Sequence, residues 1–289
     1  MLEDKPYLAI IGGSGLYQMP GLEDIQTFDL TTPFGKPSAP IVVGALQGKK
    51  IAFLARHGEG HRFSPNEVNY RANIYALKIL GVEQIVSISA VGSLREDYAP
   101  GELVIPDGLF DFTRDRKRTF FDCNCVVHIS VADPFCNALS EKVYQAVQQT
   151  GAIVHYGGSL ITIEGPRFST KSESNVFRSW GMSIIGMTTC PEAFLAREAE
   201  MCYAVMAHVT DYDVWHVSEL PVTVEQVIQV LNRNTSTAQE AVRNLAQLLT
   251  PERTCECGQA VKNAIITQPE RISPKSRQIL EPLIGKYLP

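Results

Sequence analysis

The run Tyr7-Leu8-Ala9-Ile10-Ile11 ends in Gly12-Gly13-Ser14-Gly15-Leu16. A short apolar run closed by glycines reads as a buried strand feeding a Gly-rich loop. Glycines there permit positive φ and let backbone N–H groups face an anion, with the Ser14 hydroxyl as an added donor. The loop is neither a full dinucleotide fingerprint nor a Walker loop, because the lysine is missing and the glycine spacing differs.

The same pattern recurs outward from this point. Ile41-Val42-Val43-Gly44 and Lys50-Ile51-Ala52-Phe53-Leu54-Ala55 read as a hairpin turned at Leu46-Gln47-Gly48, and its second strand delivers Arg56 and His57. Asn66 to Leu80 runs in helical period and stops at Gly81. Gln84–Ala90 is a strand carrying Ser89 into a Ser/Gly turn at Val91-Gly92-Ser93-Leu94, and Leu103–Asp107 is a short strand. Asp111–Val127, with Arg114, Arg116, Lys117 and Arg118, reads as a charged, solvated loop. Further strands fall at 153–156, 159–163, 183–187 and 202–209, and helices at 139–149, 171–180, 192–200 and 224–249. Strands alternating with helices specify an α/β fold, a single domain with a central mixed β-sheet flanked by helices. Polar residues stand after successive strands: Ser14, Arg56 and His57, Ser89, Thr188, Asp211. In open α/β sheets that edge is where ligands bind. No linker-like stretch precedes Pro251, so residues 1–250 read as the domain and 251–289 as a C-terminal tail whose structure the pattern does not reveal.

Composition narrows the function. A hydrophobic content of 45% and a charged content of 20% over 289 residues describe a globular chain. The net charge of −5, with no basic stripe, argues against a nucleic-acid partner. No apolar run reaches membrane-spanning length and the N-terminus lacks a signal-peptide layout, so a cytoplasmic location with no membrane association is expected. The 7 cysteines include two Cys-x-Cys pairs, Cys123/Cys125 and Cys255/Cys257. Zinc sites usually show Cys-x2-Cys spacing, so no metal is expected.

Val209-Thr210-Asp211-Tyr212-Asp213 places two carboxylates at the end of an apolar run. If the run stays extended, both project the same way. Like charges held close raise at least one pKa, so one carboxyl can keep a proton near neutrality. One protonated and one ionised Asp would complement the N7 and N6 edge of adenine. An Asp-x-Asp turn or cap is the plainer reading of the same residues.

Together these motifs resemble the trimeric purine nucleoside phosphorylase superfamily, and within it the branch acting on S-methyl-5′-thioadenosine. The resemblance rests on Ile10–Leu16, Thr32–Ser38, Ala55–Gly58, Val68–Tyr70, Gly92–Arg95, Thr162–Ser169, Met187–Glu192 and Thr210–Trp215. It implies reversible phosphorolysis: phosphate attacks C1′ and releases adenine and 5-methylthioribose 1-phosphate, with phosphate as co-substrate and no cofactor. Ser14, Arg56, His57, Ser89 and Thr188 match phosphate positions; Ala90, Phe168, Ser169 and Met187 match base and ribose positions. Asp211 would protonate N7 and Asp213 would receive the amino group. A 6-oxopurine enzyme would carry Asn at 211 and Glu at 169, so Asp and Ser favour a 6-aminopurine. Val224, Val227 and Ile228 match an apolar 5′ pocket, to which a neighbouring subunit would lend His128, implying a homotrimer. Three other readings remain: a histidine phosphatase built on Arg56-His57-Gly58, a purine-binding protein without catalysis, and a nucleosidase that needs no phosphate.

Overall fold

The computed structural model describes residues 5–13, 19–216 and 224–289, and for residues 224 and 226–233 the helical backbone alone. The N-terminal apolar run forms β1 (Leu8–Gly12), buried at every position. Next come β2 (Glu23–Phe28), β3 (Ile41–Leu46) and β4 (Lys49–Ala55), antiparallel in that order. The β3–β4 hairpin turns through Gln47 (φ 52°) and Gly48 (φ 71°), the left-handed pair a two-residue hairpin requires. Helix α1 (Tyr70–Ile79) is capped by Asn69, whose side chain accepts from the Ala72 N–H. The chain continues with β5 (Gln84–Ser93), β6 (Leu103–Ile105), β7 (Gly108–Phe112), α2 (Asn137–Gln148), β8 (Val154–Tyr156) and β9 (Ser159–Ile163). Then come α3 (Lys171–Ser179), β10 (Ile184–Gly186), α4 (Thr189–Glu198), β11 (Cys202–Asp211), α5 (Val224–Leu248) and α6 (Pro274–Ile284).

All of these strands join one mixed sheet, in which β2-β3-β4-β1-β5-β10-β9-β7 form the main path and β11, β6 and β8 branch from β5. The ten-residue β5 is the branch point. Along one edge it pairs with parallel β11 from Gln84 to Gly92. On the other edge parallel β1 reaches only Ser87, and antiparallel β10 begins only at Gly92. Residues 88–91 therefore face a break in the sheet between β1 and β10. That break lies at the carboxyl ends of β1, β4 and β10, where the site forms.

Both faces of the sheet are covered, which explains why β1 reads as continuously apolar rather than alternating. Ala9 and Ile11 pack with residues of α1, α4 and α6, and Leu8 and Ile10 with residues of α2 and α5. Among the described residues no helix is long and apolar enough to cross a membrane.

Four features depart from the sequence reading. β2 is an edge strand with all but its last residue exposed, so its polar sequence carries no apolar signal. Val91-Gly92-Ser93 stays in β5 instead of turning, because β11 and β10 pair with it. Residues 111 and 112 belong to β7, and Arg116 beyond them is buried rather than solvated. Gly12 and Gly13 do not adopt positive φ; Gly15 lies outside the described residues.

Candidate active site

A cavity of about 550 Å³ opens at the break between β1 and β10. It is lined by Arg56, His57, Ser89, Ala90, Phe168, Ser169, Met187, Thr188, Asp211 and Asp213. Ten of the expected residues thus converge, two from within β5 and the others from the ends of β4, β9, β10 and β11 and the loops beyond them. Ser14 lies outside the described residues, as do the side chains of Val224, Val227 and Ile228. His128 is exposed, does not line the cavity, and donates its backbone N–H to Ala264 O at 2.9 Å.

One end of the cavity is built for an anion. Arg56, only 2% exposed, sits at the end of β4 and forms a two-pronged ion pair with the fully buried Glu192, Nε to Oε2 at 2.8 Å and Nη2 to Oε1 at 2.9 Å. Nη2 also donates to Ser87 Oγ at 2.7 Å, and Nη1 to Ile88 O at 3.2 Å. Burial opposes the charge, but Glu192 outweighs it and holds the guanidinium firmly protonated. These bonds engage four of the five guanidinium N–H groups and leave one on Nη1 beside the cavity. Ser89 Oγ and Thr188 Oγ1 lie 3.3 Å apart, from β5 and the start of α4 respectively. Gly58 permits the turn after Arg56 and His57: its φ is 74°, and a Cβ there would approach Ser38 O to 3.0 Å.

His57 differs from its expected role as a donor. Its Nδ1 lies 2.8 Å from Phe63 O, an acceptor, so Nδ1 carries the proton. Burial first, and then Arg56, pushes the ring pKa down to about 4. Near neutrality the ring is uncharged and Nε2 is an acceptor.

The opposite end holds the aspartates. β11 ends at Asp211, and the chain turns through Asp213 at φ 50°, so the pair is not the extended dipeptide the spacing suggests. Asp211 Oδ1 accepts the Asp213 N–H at 2.8 Å and Oδ2 accepts the Thr210 hydroxyl at 2.6 Å. The plainer turn reading is therefore also correct, yet both carboxyls still line the cavity. Burial, rather than repulsion from its neighbour, pushes the Asp213 carboxyl up. Its Oδ2 is buried beside the hydroxyls of Ser169 and Ser174, whose interaction with the carboxyl opposes part of that upward push.

Two structural residues escaped the sequence reading. Glu192 orients Arg56 and also accepts the Tyr203 hydroxyl at 2.8 Å. Arg116 Nη1 donates to Met187 O at 2.8 Å and Cys190 O at 2.6 Å, and Nη2 donates to Glu164 O at 2.7 Å. It thereby ties together the segments that carry Phe168, Met187 and Thr188.

The family comparison agrees with this geometry. Residues 7–247 match the phosphorylase superfamily. The chain is 50% identical over 280 residues to an S-methyl-5′-thioadenosine phosphorylase of Koribacter versatilis, covering 97% of this chain and 96% of the relative. A crystal structure of methylthioadenosine phosphorylase from an antarctic soil metagenomic library superposes with a TM-score of 0.93 at 44% identity, covering 97% of this chain and 99% of that one. A mutant of the Schistosoma mansoni adenosine/methylthioadenosine phosphorylase, solved with methylthioadenosine, gives 0.83 at 35% identity, with 89% and 96% covered. The chain belongs to the phosphorylase superfamily, and within it to the S-methyl-5′-thioadenosine phosphorylase family.

Proposed function

We propose that the chain catalyses the reversible phosphorolysis of S-methyl-5′-thioadenosine to adenine and 5-methylthioribose 1-phosphate. The observation that carries this reading is the polarity of the cavity: anion donors from Arg56, Ser89 and Thr188 at one end, and two carboxyls at the other. Inorganic phosphate is the co-substrate, and the reaction asks for no cofactor. A phosphate oxygen forms the bond to C1′ as the C1′–N9 bond breaks. Its electron pair goes to the purine, which is relieved by a proton at N7. General acid help of this kind contributes about 10²–10⁴-fold.

The Asp211/Asp213 pair supplies that proton and accepts from the amino group. The motif match gives the N7 role to Asp211; burial raises the pKa of Asp213 and so favours a proton on it. Neutral His57 accepts from a P–OH group of the phosphate through Nε2. Phe168 covers the base, Ala90 and Ser169 flank it, and Met187 borders the ribose. Ser14 adds a phosphate donor, and Val224, Val227 and Ile228 form the methylthio pocket. His128 is contributed to a neighbouring subunit in a homotrimer. Its exposure outside its own cavity, beside Val126 (48% exposed) and Ile266 (62% exposed), supports such a contact. The enzyme serves purine and methionine salvage in the cytoplasm.

The test is adenine release from methylthioadenosine with and without inorganic phosphate, beside adenosine and inosine. Phosphate-dependent turnover that prefers methylthioadenosine is the expected result. Turnover independent of phosphate means a nucleosidase, and a preference for inosine overturns the assignment of the aspartates.

A further inference from the structure

Far from the cavity, four cysteines meet from three separate parts of the chain. Cys136 is the N-cap residue of α2, Cys202 opens β11, and in the C-terminal segment Cys255 precedes a short turn at 256–259 that contains Cys257. Their sulfurs all lie within 4.8 Å of one another, with Cys202 and Cys255 at 3.3 Å. None is in a disulfide. A tetrathiolate bound to one ion at ~2.3 Å per bond sets its sulfurs ~3.8 Å apart, whereas a disulfide would draw a pair to ~2.05 Å.

Two guanidinium groups reach this cluster. Arg197 Nη1 donates to Cys257 Sγ at 3.3 Å, and the Arg253 guanidinium lies near Cys202 and Cys255. The backbone holds the other carriers in place: Cys136 N–H donates to Tyr203 O and Cys202 N–H to Glu83 O, both at 2.9 Å. Cys136, Cys202 and Cys257 are buried and Cys255 is half-buried, and none of the four lines the cavity. Closed, four-ligand thiolate sites of this kind are structural, because a catalytic site keeps a position open.

We propose that Cys136, Cys202, Cys255 and Cys257 form a structural tetrathiolate site for a soft divalent cation, zinc, that fastens the C-terminal segment to the sheet. Binding releases the four thiol protons to solvent and leaves a complex of charge −2, which Arg197 and Arg253 offset. The segment so fastened also reaches Glu200, two residues before Cys202: Lys286 pairs with it at 2.5 Å and the Tyr287 hydroxyl donates to it at 2.6 Å. The sequence hides the site because the ligands at 136 and 202 have no cysteine neighbour and the last two are separated by a single residue.

The test measures metal on the full chain purified under reducing conditions. Elemental analysis is expected to find about one zinc per chain, and the Cys255→Ser/Cys257→Ser double variant to retain less than about a tenth of that. A Cys123→Ser/Cys125→Ser variant, altered in the other Cys-x-Cys pair, keeps its full complement. Exchange of zinc for cobalt is expected to yield the absorption of a tetrahedral cobalt–thiolate centre. Because a variant can lose metal by failing to fold, the unmodified chain is decisive. The proposal is overturned if that chain takes up neither zinc nor cobalt when reduced. It is equally overturned if peptide mapping without reductant finds disulfides among the four, or if the double variant keeps its metal.

Discussion

Asp211 owes its position to a residue without a side chain. β5 and β11 run in register until a shift between Val209 and Asp211 brings Asp211 opposite Gly92. A Cβ at Gly92 would stand 2.9 Å from Asp211 Oδ1 and 3.0 Å from Ile185 Cγ2. Both neighbours are held, Asp211 by Thr210 and the Asp213 N–H, and Ile185 by its place in the sheet. Gly92→Ala must therefore move the carboxyl. Misplacement on the order of 1 Å at a reacting group can cost ~10²-fold, and overpacking typically costs ~1–3 kcal/mol. We expect kcat/KM on methylthioadenosine to fall by roughly ten- to a hundredfold, with a smaller drop in stability. Steady-state kinetics beside urea unfolding check this. A variant that is destabilised yet fully active would show that the placement of Asp211 does not govern turnover.

At the level of elements, Arg116 does for the cavity wall what no helix or strand does. Its guanidinium holds four backbone carbonyls, from Met187, Cys190, Ile163 and Glu164, together with the Glu164 carboxylate. Arg116→Met keeps the stem but removes the donor that these backbone carbonyls share. A buried acceptor left without its donor costs about 1–3 kcal/mol. The expected outcome is an unfolding free energy, read from urea denaturation, lower by at least that amount, and a raised KM for methylthioadenosine, since Phe168 and Met187 lose their common tie. An unchanged KM in a folded variant would confine Arg116 to stability alone. Arg116 was not legible in the sequence, because nothing distinguishes it from Arg114 and Arg118 in one charged stretch. Glu192 was hidden in the same way: an acidic residue early in a helix reads as solvated, and only the fold brings Arg56 against it. The strand ends were legible because apolar runs stop sharply at Gly, Ser, Arg or Asp. That punctuation reflects the backbone geometry on which the site is built.

Across the whole molecule, what the sequence left unread lies where distant segments meet. The C-terminal segment illustrates this: Leu280, Leu283 and Ile284 of α6 are buried with residues of α1 and α4, an apolar face whose target cannot be inferred locally. His208 belongs to the same category. It reads as one polar residue in an apolar strand, yet it is 1% exposed, lines the cavity, and has neither ring nitrogen hydrogen-bonded among the described residues. Burial pushes its pKa down to about 4, and that of His57 to the same value. Between the unfolded value near 6.5 and the folded value, the unfolded chain binds more protons than the folded one. Stability from these groups is thus full above about pH 6.5 and is lost as the pH falls towards 4. Glu198, pushed up to about 7 by burial, acts in the opposite sense over part of the range, so the total profile mixes both signs. The variant His208→Gln isolates one contribution. Relative to the parent chain it is expected to gain up to roughly 3 kcal/mol between about pH 7 and about pH 4, whatever its absolute stability at neutrality. Urea midpoints of both proteins across that range measure the difference. If the two curves ran parallel, His208 would not be held neutral in the fold, and its burial without partners would need another explanation.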